Sequence, residues 1–340
     1  MTTASAKQYY ALVETPLSAV RQSLLSVAPP ESQVLAGTVA QSLDSGGKYL
    51  RPVITLLAGM ACGMADERLS EVAAVSEIIH IATLLHDDVL DESELRRGRQ
   101  TIRAQLGNKI SVLSGDYLLA QASLKLSKLG NTRLVAIYAQ VLADLCDGEV
   151  TQMTTSFALD SLNSPQDLES AWASYYHKTH CKTASLFAAG CEAAGVVNGL
   201  PEEQIQHLRS YGRDFGIVFQ IVDDLLDYTS SAEEMGKPVL DDLRNGIINA
   251  PVLLALESPL LSKEEHRDFR AQIKKVFESP EPESLNAVQQ YLSRSNAVAE
   301  TRTLMQRYID QAIESLAFVK DGAEKQALIG LLQYVVDRRQ

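Results

Sequence analysis

A chain of 340 residues, 46% of them hydrophobic and 22% charged, has the length of one large domain or two ordinary ones and enough apolar material to exclude wholesale disorder. Its 31 basic and 43 acidic residues leave −12 overall, which argues against a nucleic-acid surface and suits divalent cations. Nineteen Gly and 11 Pro are sparse punctuation, so long helices are expected in place of many short strands.

The first thirty residues are rich in Ser, Thr and Ala, but Glu14 interrupts them and only Lys7 and Arg21 are basic. Leu12, Leu17, Val20, Leu24 and Val27 recur at helical spacing, which predicts a packing helix over about 7–28 stopped by Pro29-Pro30, not a transit peptide. Helical apolar stretches follow at 34–43, 50–61, 68–90, 110–128, 132–157, 166–198, 202–228, 247–256, 264–277, 283–317 and 323–337. Turn residues separate them, among them Gly46-Gly47, Gly63, Gly130-Asn131, Asn163-Ser164-Pro165 and Ser279-Pro280-Glu281-Pro282. No linker-like segment divides the chain. One all-α domain over 1–340 is expected, with an N-terminal helix, a core over about 40–260 and C-terminal helices over 262–340. No apolar run reads as membrane-spanning, and the four cysteines (Cys62, Cys146, Cys181, Cys191) show neither paired metal spacing nor a disulfide framework. A soluble protein of the reducing cytoplasm is expected.

Two segments echo each other. Ile78–Asp91 reads IIHIATLLHDDVLD and Gly216–Asp227 reads GIVFQIVDDLLD, each an apolar helix ending in Asp-Asp-x-x-Asp. Residues four apart lie about 40° apart around a helix, so Asp87 and Asp91 face one way with Asp88 beside them, and Asp223, Asp224 and Asp227 repeat the pattern. Six carboxylates repel one another and resist desolvation unless cations sit among them. Mg²⁺ takes one or two protein carboxylates and completes its shell with water and phosphate oxygens, so two facing clusters would clamp a diphosphate. The bland alternative is a pair of solvated helix ends. Basic residues around the clusters weigh against it: Lys48 and Arg51, Arg96 and Arg97, Lys178, Lys182 and Lys237. Arg offers bidentate forks to phosphate and Lys a point charge. His80, His86 and Asp87 loosely suggest a metal phosphohydrolase of the HD type, but such an enzyme needs neither the second aspartate cluster nor Lys48 and Arg51. No nucleophile elbow or cysteine–histidine pairing motif is present, so metal-assisted departure of a leaving group, electrostatics and positioning must carry the chemistry.

These motifs closely resemble those of the trans-prenyl diphosphate synthases, the polyprenyl synthetase family. The resemblance runs from about residue 40 onward and is carried by GGKYLRP (46–52), HDDVLDESELRRG (86–98), KTA (182–184), FQIVDDLLDY (219–228) and GKPVLDDL (236–243). The stretches IIHIATLLHDDVLDE and GKPVLDDLRNGIINAPVLLALE are similar to the long-chain, solanesyl-type branch. The resemblance implies an isoprenoid-synthase-like helical bundle around a central cavity. It also implies head-to-tail condensation of isopentenyl diphosphate onto an allylic prenyl diphosphate, with about three Mg²⁺ ions per active site. By the same resemblance Asp87, Asp88, Asp91, Asp223, Asp224 and Asp227 hold Mg²⁺ against the allylic diphosphate. Arg96, Lys182 and Lys237 contact that diphosphate, and Thr183 and Gln220 line its reacting carbon. Lys48, Arg51, His80 and Arg97 hold the isopentenyl diphosphate. A homodimer is implied, with transient membrane contact as one route for product release. The alternatives are a geranylgeranyl or farnesyl diphosphate synthase, a non-catalytic partner subunit, and a terpene cyclase, which would lack the GGKYLRP-like site.

Helix geometry adds an expectation about product length. Thr83, Ile79 and Ser76 lie within about 80° of Asp87 and descend roughly 1.5 Å per residue away from it, so they would line the path of a growing chain. Short-chain relatives tend to close that path with an aromatic four or five residues before the motif, where this chain has Thr83 and Ala82. An open tunnel and a long product are expected, with the floor on residues 117–126 or 134–142. Close helix packing is the competing reason for small residues here.

Overall fold

The computed structural model describes residues 4–29, 31–43, 48–63, 66–155, 165–229 and 240–338. Lys237 and Met235 lie outside the described residues, as do Gly46 and Gly47.

The chain is helical almost throughout its described residues. The expected first helix is two, α1 (Ala4–Leu12) and α2 (Glu14–Leu25), broken at Val13. Pro16 accounts for the break, because it has no N–H for the carbonyl of Leu12 and its ring crowds that turn. Then come α3 (Gln33–Leu43), α4 (Leu50–Ala61) and α5 (Glu67–Leu90). Asp66 starts α5 by accepting from the amides of Arg68 and Leu69 at 3.0 and 3.3 Å. A short hairpin that the helical periodicity missed, β1 (Leu95–Arg96) and β2 (Arg99–Gln100), turns through Arg97 and Gly98 at φ 51° and 75°. Both central residues sit at positive φ, as a two-residue hairpin loop requires.

Beyond it lie α6 (Ile102–Leu106), α7 (Asn108–Lys128), α8 (Thr132–Thr155) and α9 (Pro165–Thr179). A π turn over His180–Ala184 carries α9 into α10 (Ser185–Val197), and α11 (Glu202–Thr229) follows. The C-terminal part comprises α12 (Asp241–Arg244), α13 (Ala250–Glu257), α14 (Lys263–Glu278), α15 (Pro282–Arg294), α16 (Ala297–Ser315) and α17 (Ala323–Val336). The stretch expected as one helix over 283–317 is divided by Asn296 at φ 59°, a left-handed conformation that Asn tolerates.

Helix α5 runs through the core against α2, α4, α7 and α10. By length and apolar composition it could cross a membrane, contrary to the expectation from the sequence, but most of it is buried inside the protein. Helix α11 packs along α10, and Gly212 and Gly216 permit the approach. A Cβ on Gly212 would meet the Phe187 carbonyl oxygen at 2.5 Å, and one on Gly216 the Ala184 Cα at 2.5 Å. A second, smaller apolar cluster joins Leu243, Val252, Phe269, Ile273 and Val288 in the C-terminal helices. The ends of α5 and α11 that carry the aspartates are thereby set around a cavity, with α8, α9 and the π turn as its other walls.

Candidate active site

One cleft is lined by Thr83 and Asp87 of α5, Gln152 of α8, Tyr175 and Lys178 of α9, Lys182 and Thr183 of the π turn, and Gln220 and Asp224 of α11. Asp224 is 2% exposed and held from two sides. Tyr175 donates its hydroxyl to Oδ2 at 2.7 Å, and the Gln220 amide donates to Oδ1 at 3.0 Å. Thr183 donates in turn to the Gln220 Oε1 at 2.9 Å. A π turn inserts one residue into the helical ladder, and here it brings both Lys182 and Thr183 to the cleft wall. Lys182 is anchored by Glu149 at 2.7 Å and by the Gln152 Oε1 at 3.0 Å.

Buried carboxylates set the electrostatics of the cleft. Burial, then the neighbouring charge of Glu149, pushes Asp87 up to about 7, against the pull of Lys182 and Arg96. Burial and the Asp242 charge push Asp224 up to about 7 although Tyr175 and Gln220 stabilise its ionised form. Each carboxylate would be relieved by a cation.

A second cavity backs onto the first and shares Arg51, His80 and Leu84 with it. Its other walls include Lys48, Glu77, Arg97, Phe187, Phe219 and Arg338. Arg51 lies over the Phe187 ring at 4.7 Å, and among the described residues its buried Nε has no hydrogen-bond partner. Burial lowers Arg51 to about 10, opposed by Glu77, and burial with the Arg51 and Arg97 charges holds His80 well below its ordinary range. A neutral imidazole beside the half-buried Arg51 and the exposed Arg97 makes a pocket fit for an anion.

The six aspartates of the two Asp-Asp-x-x-Asp runs have different surroundings. Asp87 and Asp224 face the shared cleft. Asp88 is 4% exposed and its Oδ1 accepts from the Arg96 Nε at 2.7 Å, in a groove that also holds Arg97. Arg96 is thus placed on Asp88 and not in the cleft wall. Asp91 is the exposed C-cap of α5. Asp223 faces Arg338, 2.5 Å from its Nη2, while Arg338 stacks on Phe219 at 3.9 Å. Asp227, 2% exposed, accepts from the amides of Asp241 and Asp242 at 3.0 and 3.1 Å. The first turn of α12 needs an acceptor for those amides, and Asp227 supplies it from α11. Asp223 and Asp227, one helical turn apart, are thus held by different partners, while Gln220 and Asp224 line the cleft.

Below the cleft the small residues of α5 are packed, not open. Ile79, Ala82 and Ser76 are buried, and the Ser76 hydroxyl lies 2.7 Å from that of Tyr138 on α8. Of the four only Thr83 lines the cleft. His86 turns away toward Asp116 at 3.4 Å, so it shares no metal geometry with His80. Glu149, Tyr175, Glu77 and Arg338 were missed from the sequence. Glu77 could have been found, since it lies one turn before His80 on the same face. The others are brought in by tertiary packing.

The polyprenyl synthetase family model matches residues 32–293. A decaprenyl diphosphate synthase from Rhodobacter capsulatus superposes with a TM-score of 0.87 at 35% identity, over 98% of this chain and 99% of that one. A polyprenyl synthase from Caulobacter crescentus, solved with calcium and isoprenyl diphosphate, gives 0.84 at 31% identity over the whole of both chains, 100% of each. Component 2 of the heptaprenyl diphosphate synthase of Geobacillus stearothermophilus is 34% identical over 96% of each chain. With the described residues of these motifs lining two adjoining cavities, and a family match over most of its length, this chain belongs to the polyprenyl synthetase family.

Proposed function

We propose that the chain is a prenyltransferase that condenses isopentenyl diphosphate head-to-tail onto an allylic diphosphate and repeats the step to give a long all-trans polyprenyl diphosphate. The observation that carries this reading is the pair of joined cavities, one acidic and one basic, which share Arg51 and His80. Two diphosphates bound one in each would lie with their hydrocarbon ends at a common wall.

The acidic cleft fits Mg²⁺. Asp87 and Asp224 are hard oxygen donors whose pKa values are raised by burial and then by neighbouring carboxylates. When bound there, the ion would supply positive charge to a departing diphosphate. The chain's own residues do the rest. Lys182, fixed by Glu149, binds the allylic diphosphate, and Thr183 and Gln220 flank the carbon that ionises. Tyr175 and Gln220 orient the Asp224 carboxylate. In the basic cavity Lys48, Arg51 and Arg97 bind the second diphosphate, and the stacking of Arg51 on Phe187 pre-orients its fork. Lys237 belongs to the same reading for the allylic site. The proton lost after condensation goes to the released diphosphate. The long product is supported by the decaprenyl and heptaprenyl names of two similar proteins.

Incubation with labelled isopentenyl diphosphate, an allylic starter and Mg²⁺, followed by chain-length separation, tests all of this. A ladder ending in a long product is expected. A single geranylgeranyl-length product would overturn the long-chain reading, and no product from the chain alone would overturn its acting unaided. The last point matters because the Geobacillus relative is named as one component of a synthase. A homodimer remains our reading of assembly, and sedimentation at micromolar concentration should give twice the chain mass.

A further inference from the structure

Outside both cavities, three donors of different chemistry converge on the outer side of the π turn. His177 Nε2 lies 2.8 Å from Asp147 Oδ2, and Cys181 Sγ lies 3.8 Å from the same nitrogen. All three donor atoms fall within 4.8 Å of one another. His177 and Cys181 are four residues apart, one turn of helix, while Asp147 comes from α8. The contact between the two elements is tight at this point: a Cβ on Gly148 would meet the Cys181 Cβ at 2.7 Å and the Lys182 Cγ at 2.9 Å. Asp147 and His177 are exposed and the Cys181 side chain is buried behind them, so the arrangement is open to solvent on one side only.

We propose that Asp147, His177 and Cys181 form a binding site for a borderline-soft divalent cation of the zinc class, separate from the aspartates of the cleft. One thiolate, one imidazole and one carboxylate make a donor set that suits Zn²⁺ and not Mg²⁺, whose ligands are hard oxygens. Around a tetrahedral Zn²⁺ such donors stand about 3.3–3.8 Å apart. The separations found are 2.8 Å to Asp147 and 3.8 Å to Cys181, whose sulfur also lies 3.9 Å from Nδ1, so rotation of the imidazole would bring the three donors onto one ion. The fourth position faces solvent and would hold water. Cys181 would bind as the thiolate, its proton passing to solvent as the sulfur–metal bond forms. The ion would tie α8 to the π turn one residue from Lys182 and two from its anchor Glu149.

Cobalt(II) makes the test direct, because a thiolate ligand gives a charge-transfer band that oxygen ligands do not. Titrating the full chain with Co²⁺ in excess Mg²⁺ should produce that band at one equivalent, and Zn²⁺ should abolish it by displacement. Cys181→Ser should lose the band, while Cys146→Ser, which removes the exposed neighbouring thiol, should keep it. His177→Ala and Asp147→Asn, both at exposed positions where folding is not at stake, should weaken binding about tenfold or more, since even outer partners of a ligand cost that much. No band in the wild type, or an undiminished band in Cys181→Ser, would overturn the site. Binding unchanged in both His177→Ala and Asp147→Asn would do the same, reducing the cluster to an ion pair beside a buried thiol. Absorbance, not turnover, is the readout, so the result is independent of the prenyl-transfer reading.

Discussion

Glu77 sits on the floor of the basic cavity at 5% exposure, facing Arg51 and Arg97. Burial raises it from 4.5 to about 7 despite both guanidinium groups. The folded chain therefore keeps this proton at a pH where the unfolded chain has lost it. Its contribution to stability is complete below pH 4.5, declines as the pH rises, and is gone above about 7. Glu77→Gln cannot titrate, so across that window the wild type should lose about 1–3 kcal/mol relative to the variant. Urea unfolding of both proteins at several pH values reads the difference directly, and parallel pH profiles would contradict the assignment. A second residue-scale prediction separates the substrates. Lys48 lines the basic cavity and Lys182 the acidic cleft. Lys48→Ala should raise the KM for isopentenyl diphosphate about ten- to a hundredfold with a smaller effect on the allylic starter, and Lys182→Ala the reverse. Equal effects of both variants on both substrates would merge the two sites. Lys48, Arg51, Asp87 and Lys182 were legible in the sequence because charge beside an apolar helix end is unusual. Tyr175 and Glu149 were not, because each acts through a partner on a different helix.

At the scale of elements, the helical period placed α3 to α5, α7, α8 and α11 within about two residues, since each carries an apolar face that packs on a neighbour; it read α9, the π turn and α10 as one run and missed the five-residue α6. It failed where a single residue overrides the period: Pro16 ahead of α2, Asn296 between α15 and α16, and the Arg97-Gly98 turn. The same limit explains the aspartates. Spacing of four places Asp223 and Asp227 on one face, and it does not show that the amides of α12 reach Asp227. A local period cannot register a demand made by a helix that starts fourteen residues later. The roles can be told apart. Asp224→Asn should lower turnover about a hundredfold or more, because it removes charge from the cleft. Asp227→Asn should lower turnover less and cost stability, about 0.5–2 kcal/mol, through the lost cap. Turnover paired with denaturant midpoints checks both, and a loss of turnover in Asp227→Asn as deep as in Asp224→Asn would return Asp227 to the metal site.

For the molecule as a whole, product length is a question of where the space beneath the cleft ends. The wall that descends from Asp87 along α5 begins at Thr83, half-buried in the cleft lining, and continues into packed core at Ile79 and Ser76. The sequence supplied the small residues but not their neighbour: Tyr138 of α8 fills the space beside Ser76, with their hydroxyls 2.7 Å apart and the tyrosine hydroxyl also donating to the Val72 carbonyl at 3.2 Å. Tyr138 falls within the 134–142 segment expected to hold the floor. A product growing along α5 must displace this contact or pass beside it, with Thr83 nearest the cleft and Tyr138 farthest from it. Thr83→Phe should therefore shorten the product by several isoprene units while the first condensation survives, because the cleft carboxylates are untouched. Tyr138→Ala should lengthen it, at a stability cost of about 3–5 kcal/mol for the emptied volume. Tyr138→Phe, which removes only the hydroxyl, keeps the volume and should leave the length unchanged. Chain-length profiles of the three folded variants decide the matter: if Thr83→Phe and Tyr138→Ala both give the wild-type distribution, the growing chain does not run along α5 toward α8.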